Sequence, residues 1–274
     1  MSLLSTVARA CGLNQAPRLK QAIKDGLYFL QDPLRRGLPL ELGGGIVTVP
    51  ARFARQPWTN YETTATRKAA EWFDLHPDGM LVDVGSSIAL YSLLALARAP
   101  RSLAWAIDSE LISLQSSRWL CRYVGAARLR VIHGYAGDQP SVDLPAAEVA
   151  SRTAARLDAE KISREPSDAS YICLDSAATS GIPVHSLDRL FADADASRPC
   201  LVKIDVEGAE LLVLRGADAF VRRIRPQLLV SVHPPALRGF GLVPDDVASW
   251  LRGHDYRFEI HVEPHEEHWW CTPL

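Results

Sequence analysis

The sequence feature that most constrains the fold is an alternation that begins at Met80. Short, continuous apolar runs are each followed by a segment in which apolar residues recur at helical spacing. The predicted strands are Met80–Gly85, Leu103–Asp108, Leu129–His133, Leu201–Val206 and Leu228–Val232. The predicted helices are Ile88–Ala99, Leu111–Val124 and Glu210–Arg223. Continuous apolar strands that alternate with helices are typical of a parallel sheet covered on both faces, so we expect an α/β fold.

The first sixty residues differ from this pattern. Leucine and isoleucine spacing predicts a helix over Ala16–Leu30. Prolines and the Gly43–Gly45 run then indicate a loop-rich stretch with one short strand, Ile46–Val49. We therefore expect residues 1–60 to be an N-terminal extension that covers or completes a site. The main domain would span residues 61–274 and begin with a helix, Tyr61–Leu75.

Two later regions complete the prediction. The segment Ser141–Ser170 is rich in charged and small residues, and we expect a solvated insertion that could hold a surface helix around Ala146–Lys161. The remaining predicted elements are Tyr171–Leu174, Val184–Ala192, a helix at Val247–Leu251, and a closing antiparallel pair formed by Tyr256–Val262 and His268–Thr272.

Composition excludes several classes of protein. The 274 residues are 47% apolar, and 30 Lys and Arg nearly balance 32 Asp and Glu. This is the composition of a globular protein with one or two domains, and without a basic excess a nucleic-acid partner is not expected. The longest apolar run, Ile88–Ala97, is about half of a membrane span, and no signal-peptide pattern precedes Arg9. Five scattered cysteines without a CxxC pair predict reduced thiols and a cytoplasmic location.

The turn after the first predicted strand, Asp83–Ala89, lies where an open α/β sheet binds its ligand. Gly85 permits a close backbone approach, but no further glycine completes the dinucleotide pattern GxGxxG. Asp108 ends the second strand, where a carboxylate can accept both hydroxyls of a ribose. Asp83 could hold an ammonium group. A ribose and an ammonium describe S-adenosylmethionine better than a nicotinamide dinucleotide; the alternative is two solvated acids at strand ends.

A second acidic segment, Lys203–Glu210, joins a predicted strand to a helix. Asp205 and Glu207 lie two residues apart and share one face of an extended segment. Glu210 falls in the first helical turn, where the helix dipole favours a carboxylate, so its role could be structural. The acids could ligate Mg²⁺, orient a substrate hydroxyl or act as a general base.

His233 follows the next predicted strand. If that strand neighbours the one that ends near Asp205, the imidazole would stand beside Asp205 and Glu207. It could then take a proton from a hydroxyl or complete a metal site with the two carboxylates. A histidine that is hydrogen-bonded at a strand end is the alternative.

The C-terminal segment offers a second group of histidines. His261, His265 and His268 resemble a set of metal ligands, but Pro264 would break a helix that aligned them. We therefore expect a solvated loop between two strands. The indoles of Trp269 and Trp270 either wall a pocket or pack against the sheet.

From about Tyr61 to the C-terminus, the chain resembles the FkbM family of S-adenosylmethionine-dependent methyltransferases, mostly O-methyltransferases that act on sugars or natural products. The residues that carry the resemblance are Leu81–Gly85 continuing to Tyr91-Ser92, Ser186–Asp188, Lys203–Glu210, Val213–Ala217, Pro226 and His233. The family usually has Glu-Pro where this chain has Asp108-Ser109. Its first turn usually reads Gly-Ala-Asn-Ile-Gly, whereas this chain reads Gly-Ser-Ser-Ile-Ala over 85–89.

The resemblance implies a Rossmann-like class I methyltransferase fold, with seven mostly parallel strands and an antiparallel last strand. It places the cofactor over the first two strand tips, with Asp83 and Gly85 at the methionine end and Asp108 at the ribose. Ser87 and Ser109 complete the expected cofactor-binding residues.

The expected reaction is methyl transfer from S-adenosylmethionine to a hydroxyl of a sugar, a glycolipid or a small natural product. His233 is the expected base, and Asp205 and Glu207 would orient the acceptor or, together with His233, bind Mg²⁺. A nicotinamide-dependent oxidoreductase and a catalytically silent cofactor-binding or interaction module remain open. An oligomer is compatible with the sequence.

Overall fold

A computed structural model describes residues 37–50, 53–54, 61–160, 181–263 and 266–274. The predicted helix Ala16–Leu30 and the predicted strand Tyr171–Leu174 lie outside these residues.

The described strands are β1 Leu38–Leu42, β2 Gly45–Val49, β3 Met80–Val84, β4 Leu103–Asp108, β5 Leu129–His133, β6 Tyr135–Ala136, β7 Val184–His185, β8 Cys200–Ile204, β9 Gln227–Val232, β10 Tyr256–Val262 and β11 Glu267–Pro273. The described helices are α1 Thr63–Leu75, α2 Leu90–Arg98, α3 Leu111–Leu120, α4 Ala146–Glu160, α5 Leu187–Leu190, α6 Glu210–Arg215, α7 Asp218–Ile224, α8 Pro234–Leu237 and α9 Pro244–Gly253.

Seven strands form the central sheet in the order β10-β11-β9-β8-β3-β4-β5. The five strands from β9 to β5 run parallel, whereas β11 is antiparallel to both of its neighbours. The mostly parallel sheet with an antiparallel last strand is therefore confirmed. Because β3 lies between β4 and β8, the turns that follow these three strands meet at one edge of the sheet.

Helices cover both faces of the sheet, which explains why its central strands are apolar throughout. On one face, Val82 and Ile204 pack with residues of α6, α7 and α9. On the other face, Leu81 and Leu201 pack with residues of α1 and α2. Alternate residues of a strand point to opposite faces, so neighbouring apolar residues such as Leu81 and Val82 fill two different cores.

The structure adds a hairpin that the sequence analysis gave only as one strand. Strands β1 and β2 pair in antiparallel register on either side of Gly43 and Gly44, which have φ values of 58° and 72°. A two-residue hairpin turn of type I′ requires positive φ at both of its residues. Leu40 and Leu42 are buried in the core cluster that contains α2, so the hairpin packs on the main sheet's covering helices.

Two helices differ from their expected form. The predicted surface helix around Ala146–Lys161 is found as α4, but α4 buries Val149, Ala150 and Leu157 and packs on β5, so the expectation of a solvated insertion is wrong. The predicted helix Glu210–Arg223 is two helices that meet at Gly216. A Cβ at Gly216 would stand 2.1 Å from the Gly137 carbonyl oxygen, and this close backbone contact explains the glycine at the junction.

Two properties expected from composition can be compared with the structure. No helix among the described residues is long and apolar enough to cross a membrane. Cys121, Cys200 and Cys271 are buried free thiols, and the other two cysteines lie outside the described residues.

Candidate functional site

An open cavity lies at the edge of the sheet where β3, β4, β5 and β8 end. Its lining comes from the residues that follow each strand: Val84, Gly85 and Ser87, then Ile107–Glu110, Gly134–Ala136, and Asp205–Glu207. Tyr61, just before α1, closes one side. The location is the ligand-binding position of an open α/β sheet, so the expected cofactor-binding residues Gly85, Ser87, Asp108 and Ser109 are brought together here.

The Asp108 carboxylate is held at the cavity wall by two backbone N–H groups. The Ser87 amide donates to Oδ2 at 2.7 Å, and the Glu110 amide donates to Oδ1 at 2.8 Å. Burial raises the pKa of Asp108 to about 7, against the effect of these two hydrogen bonds. A carboxylate can accept about four hydrogen bonds, so Asp108 keeps capacity for two ribose hydroxyls.

The structure corrects the expected role of Asp83. Its side chain is 1% exposed, and Oδ2 accepts hydrogen bonds from the Ser92 amide at 3.2 Å and the Ser92 hydroxyl at 2.8 Å. Burial raises the pKa of Asp83 to about 6, although the charge of Lys203 acts to lower it. Asp83 is not among the residues that line the cavity. It therefore anchors the start of α2 beneath the turn instead of reaching an ammonium group.

The first turn depends on close backbone packing at Gly85. Its φ is 71°, and a Cβ at this position would stand 1.7 Å from the Asp205 carbonyl oxygen. Glycine is therefore required where the turns after β3 and β8 touch. Ala89, where the family usually has glycine, also adopts a positive φ of 62°. Its methyl group is fully buried in the core cluster that contains α2, so it does not narrow the cavity.

Asp205 and Glu207 face the cavity from the turn after β8. The Asp205 carboxylate pairs with the ammonium group of Lys203, which is buried and lies 5.0 Å above the Tyr91 ring. Glu207 has φ of 51°, and its side chain is 38% exposed. Burial raises the pKa of Glu207, opposed by the charge of His233. The predicted proximity of these two acids at the cavity is found.

His233 lies behind Asp205 and Glu207, here called the acid pair, and is not part of the cavity wall. The ring is 7% exposed, and Nδ1 is 2.8 Å from the Glu210 carboxylate. Its Nε2 lies 3.6 Å from Asp205 Oδ1, 3.5 Å from Glu207 Oε2 and 3.4 Å from Glu266 Oε2. Burial acts to lower the pKa of His233, but the hydrogen bonds to Glu210 and Glu266 and the Asp205 charge outweigh it and raise the pKa to about 11. The expected free base is therefore a charge-paired imidazolium.

The acid pair and His233 are also a candidate binding site for a metal ion. Donor atoms of Asp205, Glu207 and His233 lie within 4.8 Å of one another, close enough for one ion. Mg²⁺ prefers oxygen ligands, however, and His233 has carboxylates beside both ring nitrogens. These residues fit a charge-paired histidine better than Mg²⁺.

The expectation of a solvated loop near the C-terminus is wrong for His268 and Glu266. His268 belongs to β11 and is 3% exposed, and Glu266 turns inward to contact His233. Pro264 and His265 lie outside the described residues. Trp269 stacks on Phe258, with ring centroids 4.9 Å apart, and so packs against the sheet, whereas Trp270 lines a small cavity beside α1.

Sequence reasoning missed Tyr61, Glu62 and Glu266. Glu62 is the residue before α1 and has a positive φ of 41°, and its buried carboxylate accepts a hydrogen bond from the Tyr91 hydroxyl at 2.5 Å. No local pattern marks these residues, because they reach the site from segments far away in the sequence. A glutamate directly before a helix was the one available signal.

The strand order, the antiparallel last strand and the cavity over the first strand tips define a Rossmann-like class I methyltransferase fold. Residues 132–258 match the family described as "Methyltransferase FkbM domain". The resemblance to the FkbM methyltransferase family is therefore confirmed over residues 132–258. The match includes the acid pair and His233, and the turn at Gly85 lies before its first residue.

Solved structures give weaker likenesses. A methyltransferase FkbM from Methylobacillus flagellatus KT is 20% identical with a TM-score of 0.45, covering 71% of this chain and 44% of its own. A precorrin-6y C5,15-methyltransferase from Geobacter metallireducens GS-15 is 14% identical with a TM-score of 0.43, and the match covers 80% of this chain and 90% of that protein. Human methyltransferase-like protein 13, solved with SAH, is 14% identical with a TM-score of 0.40, and the match covers 77% of this chain and 78% of that protein. The chain thus spans less than half of the first of these proteins. No curated protein matches it.

Proposed function

We propose that this chain is an S-adenosylmethionine-dependent O-methyltransferase that acts on a hydroxyl of a sugar, a glycolipid or a small natural product. The observation that carries the proposal is the pairing of two features across one cavity. Asp108 is fixed by the amides of Ser87 and Glu110 at the position suited to a ribose. Asp205 and Glu207 face the same space from the neighbouring turn.

Four residues are positioned to hold the cofactor. Asp108 would accept hydrogen bonds from the ribose hydroxyls, and the Gly85 turn would bring backbone close to the ligand, with Ser87 and Ser109 on either side. When bound, S-adenosylmethionine supplies an electrophilic methyl group on a positively charged sulfur. The cavity carries an acidic surface, which suits a cationic ligand.

Methyl transfer to a hydroxyl requires that the oxygen lose its proton as the new bond forms. Glu207 is the better acceptor of that proton, because it lines the cavity and its side chain is partly exposed. Asp205 pairs with the Lys203 ammonium group, and its carboxylate serves to orient the hydroxyl. General-base assistance of this kind contributes about 10²- to 10⁴-fold to a rate.

His233 acts through the acids rather than on the substrate. Its ring contacts Glu207 and Asp205 on the side away from the cavity and is fixed by Glu210. The imidazolium therefore holds two like-charged carboxylates beside each other, and His233 is a positioning residue.

The cofactor is tested by calorimetry with S-adenosylhomocysteine and, separately, with NADH. We expect S-adenosylhomocysteine to bind with micromolar affinity and NADH not to bind. Binding of NADH alone would support an oxidoreductase, and binding of neither would support a silent interaction module.

The transfer step is tested with radiolabelled S-adenosylmethionine and a panel of uncharged glycosides, a glycolipid and small polyols. We expect Glu207→Gln to lower transfer at least about 100-fold, while its affinity for S-adenosylhomocysteine stays within about twofold of the wild-type value. Equal transfer by both proteins would remove Glu207 as the base.

A further inference from the structure

A second carboxylate–histidine cluster lies on the far side of Glu266 from His233, and it is centred on His268. Strand β11 places the His268 ring between β9 and β10, opposite Ser231 and His261. The ring is buried, with 3% exposed. Its Nδ1 is 3.0 Å from the Ser231 hydroxyl oxygen, whereas Nε2 has no hydrogen-bond partner among the described residues.

Three carboxylates face this unpartnered nitrogen. Nε2 lies 3.7 Å from Glu266 Oε1, 3.8 Å from Glu263 Oε1 and 4.0 Å from Glu62 Oε2. The side chains of Glu62 and Glu266 are 4% and 18% exposed. Glu62 is the residue before α1, and the other two acids lie in the connection between β10 and β11, so two segments far apart in the sequence place their acids around one ring.

Carboxylates gathered in a buried place repel one another and are costly unless a positive charge lies among them. Among the described residues, the cations near this cluster are shared with other carboxylates: Lys203 pairs with Asp205, Lys68 pairs with Glu259, and His233 contacts Glu210 as well as Glu266. The three carboxylates around His268 therefore have only a share of the nearby positive charge.

We propose that Glu62, Glu266 and His268 bind a divalent transition-metal ion, with Glu263 within reach as a fourth ligand. Donor atoms of the first three residues lie within 4.8 Å of one another. Ligands of a tetrahedral zinc ion with bonds of about 2.0–2.1 Å are about 3.3 Å apart. The distances from His268 Nε2 to Glu266 and Glu62, 3.7 and 4.0 Å, exceed this value by about 0.4–0.7 Å, so the side chains move inward when an ion binds. This site goes beyond the proposed methyl transfer.

The chemistry of the donors indicates which ions the site takes. An imidazole nitrogen with carboxylate oxygens suits Zn²⁺, Mn²⁺ or Fe²⁺, whereas Mg²⁺ and Ca²⁺ prefer oxygen alone. Ligating groups in metal sites are held by hydrogen bonds on their other side. Here Ser231 holds Nδ1 of His268, and the Tyr91 hydroxyl donates to Glu62 Oε2, the oxygen that also faces His268.

An ion bound in this cluster would connect two parts of the structure. Glu266 is shared, because its Oε1 faces His268 while its Oε2 faces His233. A bound ion would tie the start of α1 to the end of the sheet next to the acid pair. The cavity beside α1, which His268 lines together with Lys68 and Trp270, offers a path to the ring from solvent.

The test measures binding of Zn²⁺ and of Mn²⁺ to the metal-free full chain by calorimetry, with neither cofactor nor acceptor present. We expect one ion per chain in the wild type and an affinity at least about tenfold lower in His268→Ala and in Glu62→Gln. Glu259→Gln is the matched control for Glu62→Gln, because Glu259 also faces α1 but pairs with Lys68 and is exposed; its affinity is expected to equal that of the wild type.

Affinity for S-adenosylhomocysteine in the same variants reports whether they are folded, and Glu62→Gln keeps the size of the side chain if His268→Ala unfolds. The proposal is overturned if the wild type binds neither ion, or if both variants bind as tightly as the wild type. Loss of cofactor binding in the wild type would count against the proposed function only, since the metal measurement does not use the cofactor.

Discussion

Asp108 is the residue whose protonation is expected to control cofactor affinity. Its pKa is raised to about 7 by burial, so the fraction that is ionised increases as the pH rises from 6 to 8. The ionised form accepts hydrogen bonds from the ribose with both oxygens. We expect affinity for 5′-methylthioadenosine, which has the ribose but no amino-acid group, to increase about tenfold between pH 6 and pH 8.

Asp108→Asn is the control for this prediction. The amide keeps the size of the side chain but cannot ionise, so its affinity should be lower and nearly independent of pH. Calorimetry at several pH values measures both proteins. A wild-type affinity that is constant from pH 6 to pH 8 would contradict the role of Asp108.

Ala89 carries a second residue-scale prediction. A left-handed conformation costs a non-glycine residue about 1–2 kcal/mol, and Ala89 adopts one at the start of α2. Ala95 is equally buried but lies inside α2. Ala89→Gly and Ala95→Gly each remove one buried methyl group, but only the first relieves this strain.

We therefore expect Ala89→Gly to have the higher free energy of unfolding of the two variants, by about 2–3 kcal/mol: about 1–2 kcal/mol from the relieved strain and about 1 kcal/mol from the helix propensity lost in Ala95→Gly, measured by denaturant titration. The affinity of Ala89→Gly for S-adenosylhomocysteine should equal that of the wild type, because the methyl group lies in the core. A difference of only about 1 kcal/mol would mean that the positive φ at Ala89 carries no cost.

At the scale of elements, the sequence predicts the parallel sheet well because its strands are apolar on both faces. Three strands of the central sheet are found with the predicted bounds, namely Leu103–Asp108, Leu129–His133 and Tyr256–Val262, and its other strands shift by one or two residues at their ends. Strand β1 was missed because a proline lies within it, although its alternating burial followed by two glycines fits a hairpin. The sequence predicts helix α4 but not its packing, because its charged residues outnumber the few apolar residues that face β5.

The candidate site was predictable only where it follows strands. Gly85, Asp108 and Asp205 each lie at the end of a predicted strand, so topology alone brings them to one edge. The burial of a side chain could not be predicted in the same way. Asp83 and His233 also lie at strand ends, yet their side chains are buried, where Ser92 and Glu210 hold them. Glu62 and Glu266 depend on packing between distant segments, which one sequence does not reveal.

At the scale of the whole molecule, the two core clusters lie on opposite faces of one sheet. The cavity is built at the edge where both faces end, and it takes residues from four strand ends. The division into an extension, residues 1–60, and a main domain remains a prediction. The hairpin nevertheless packs closely: a Cβ at Gly43 would stand 2.9 Å from the Thr66 carbonyl oxygen and 3.0 Å from a Leu94 methyl carbon.

This packing predicts that the hairpin unfolds together with the sheet. Leu42 is 2% exposed and shares a core cluster with α2, so Leu42→Ala should lower the global free energy of unfolding by about 2–5 kcal/mol. Glu41→Ala, one residue earlier on the exposed face, should leave it nearly unchanged. Denaturant titration followed by far-UV circular dichroism and by tryptophan fluorescence should give one coincident transition for Leu42→Ala. A separate early transition in that variant, with the main transition unmoved, would instead mean that the hairpin belongs to an independently unfolding extension.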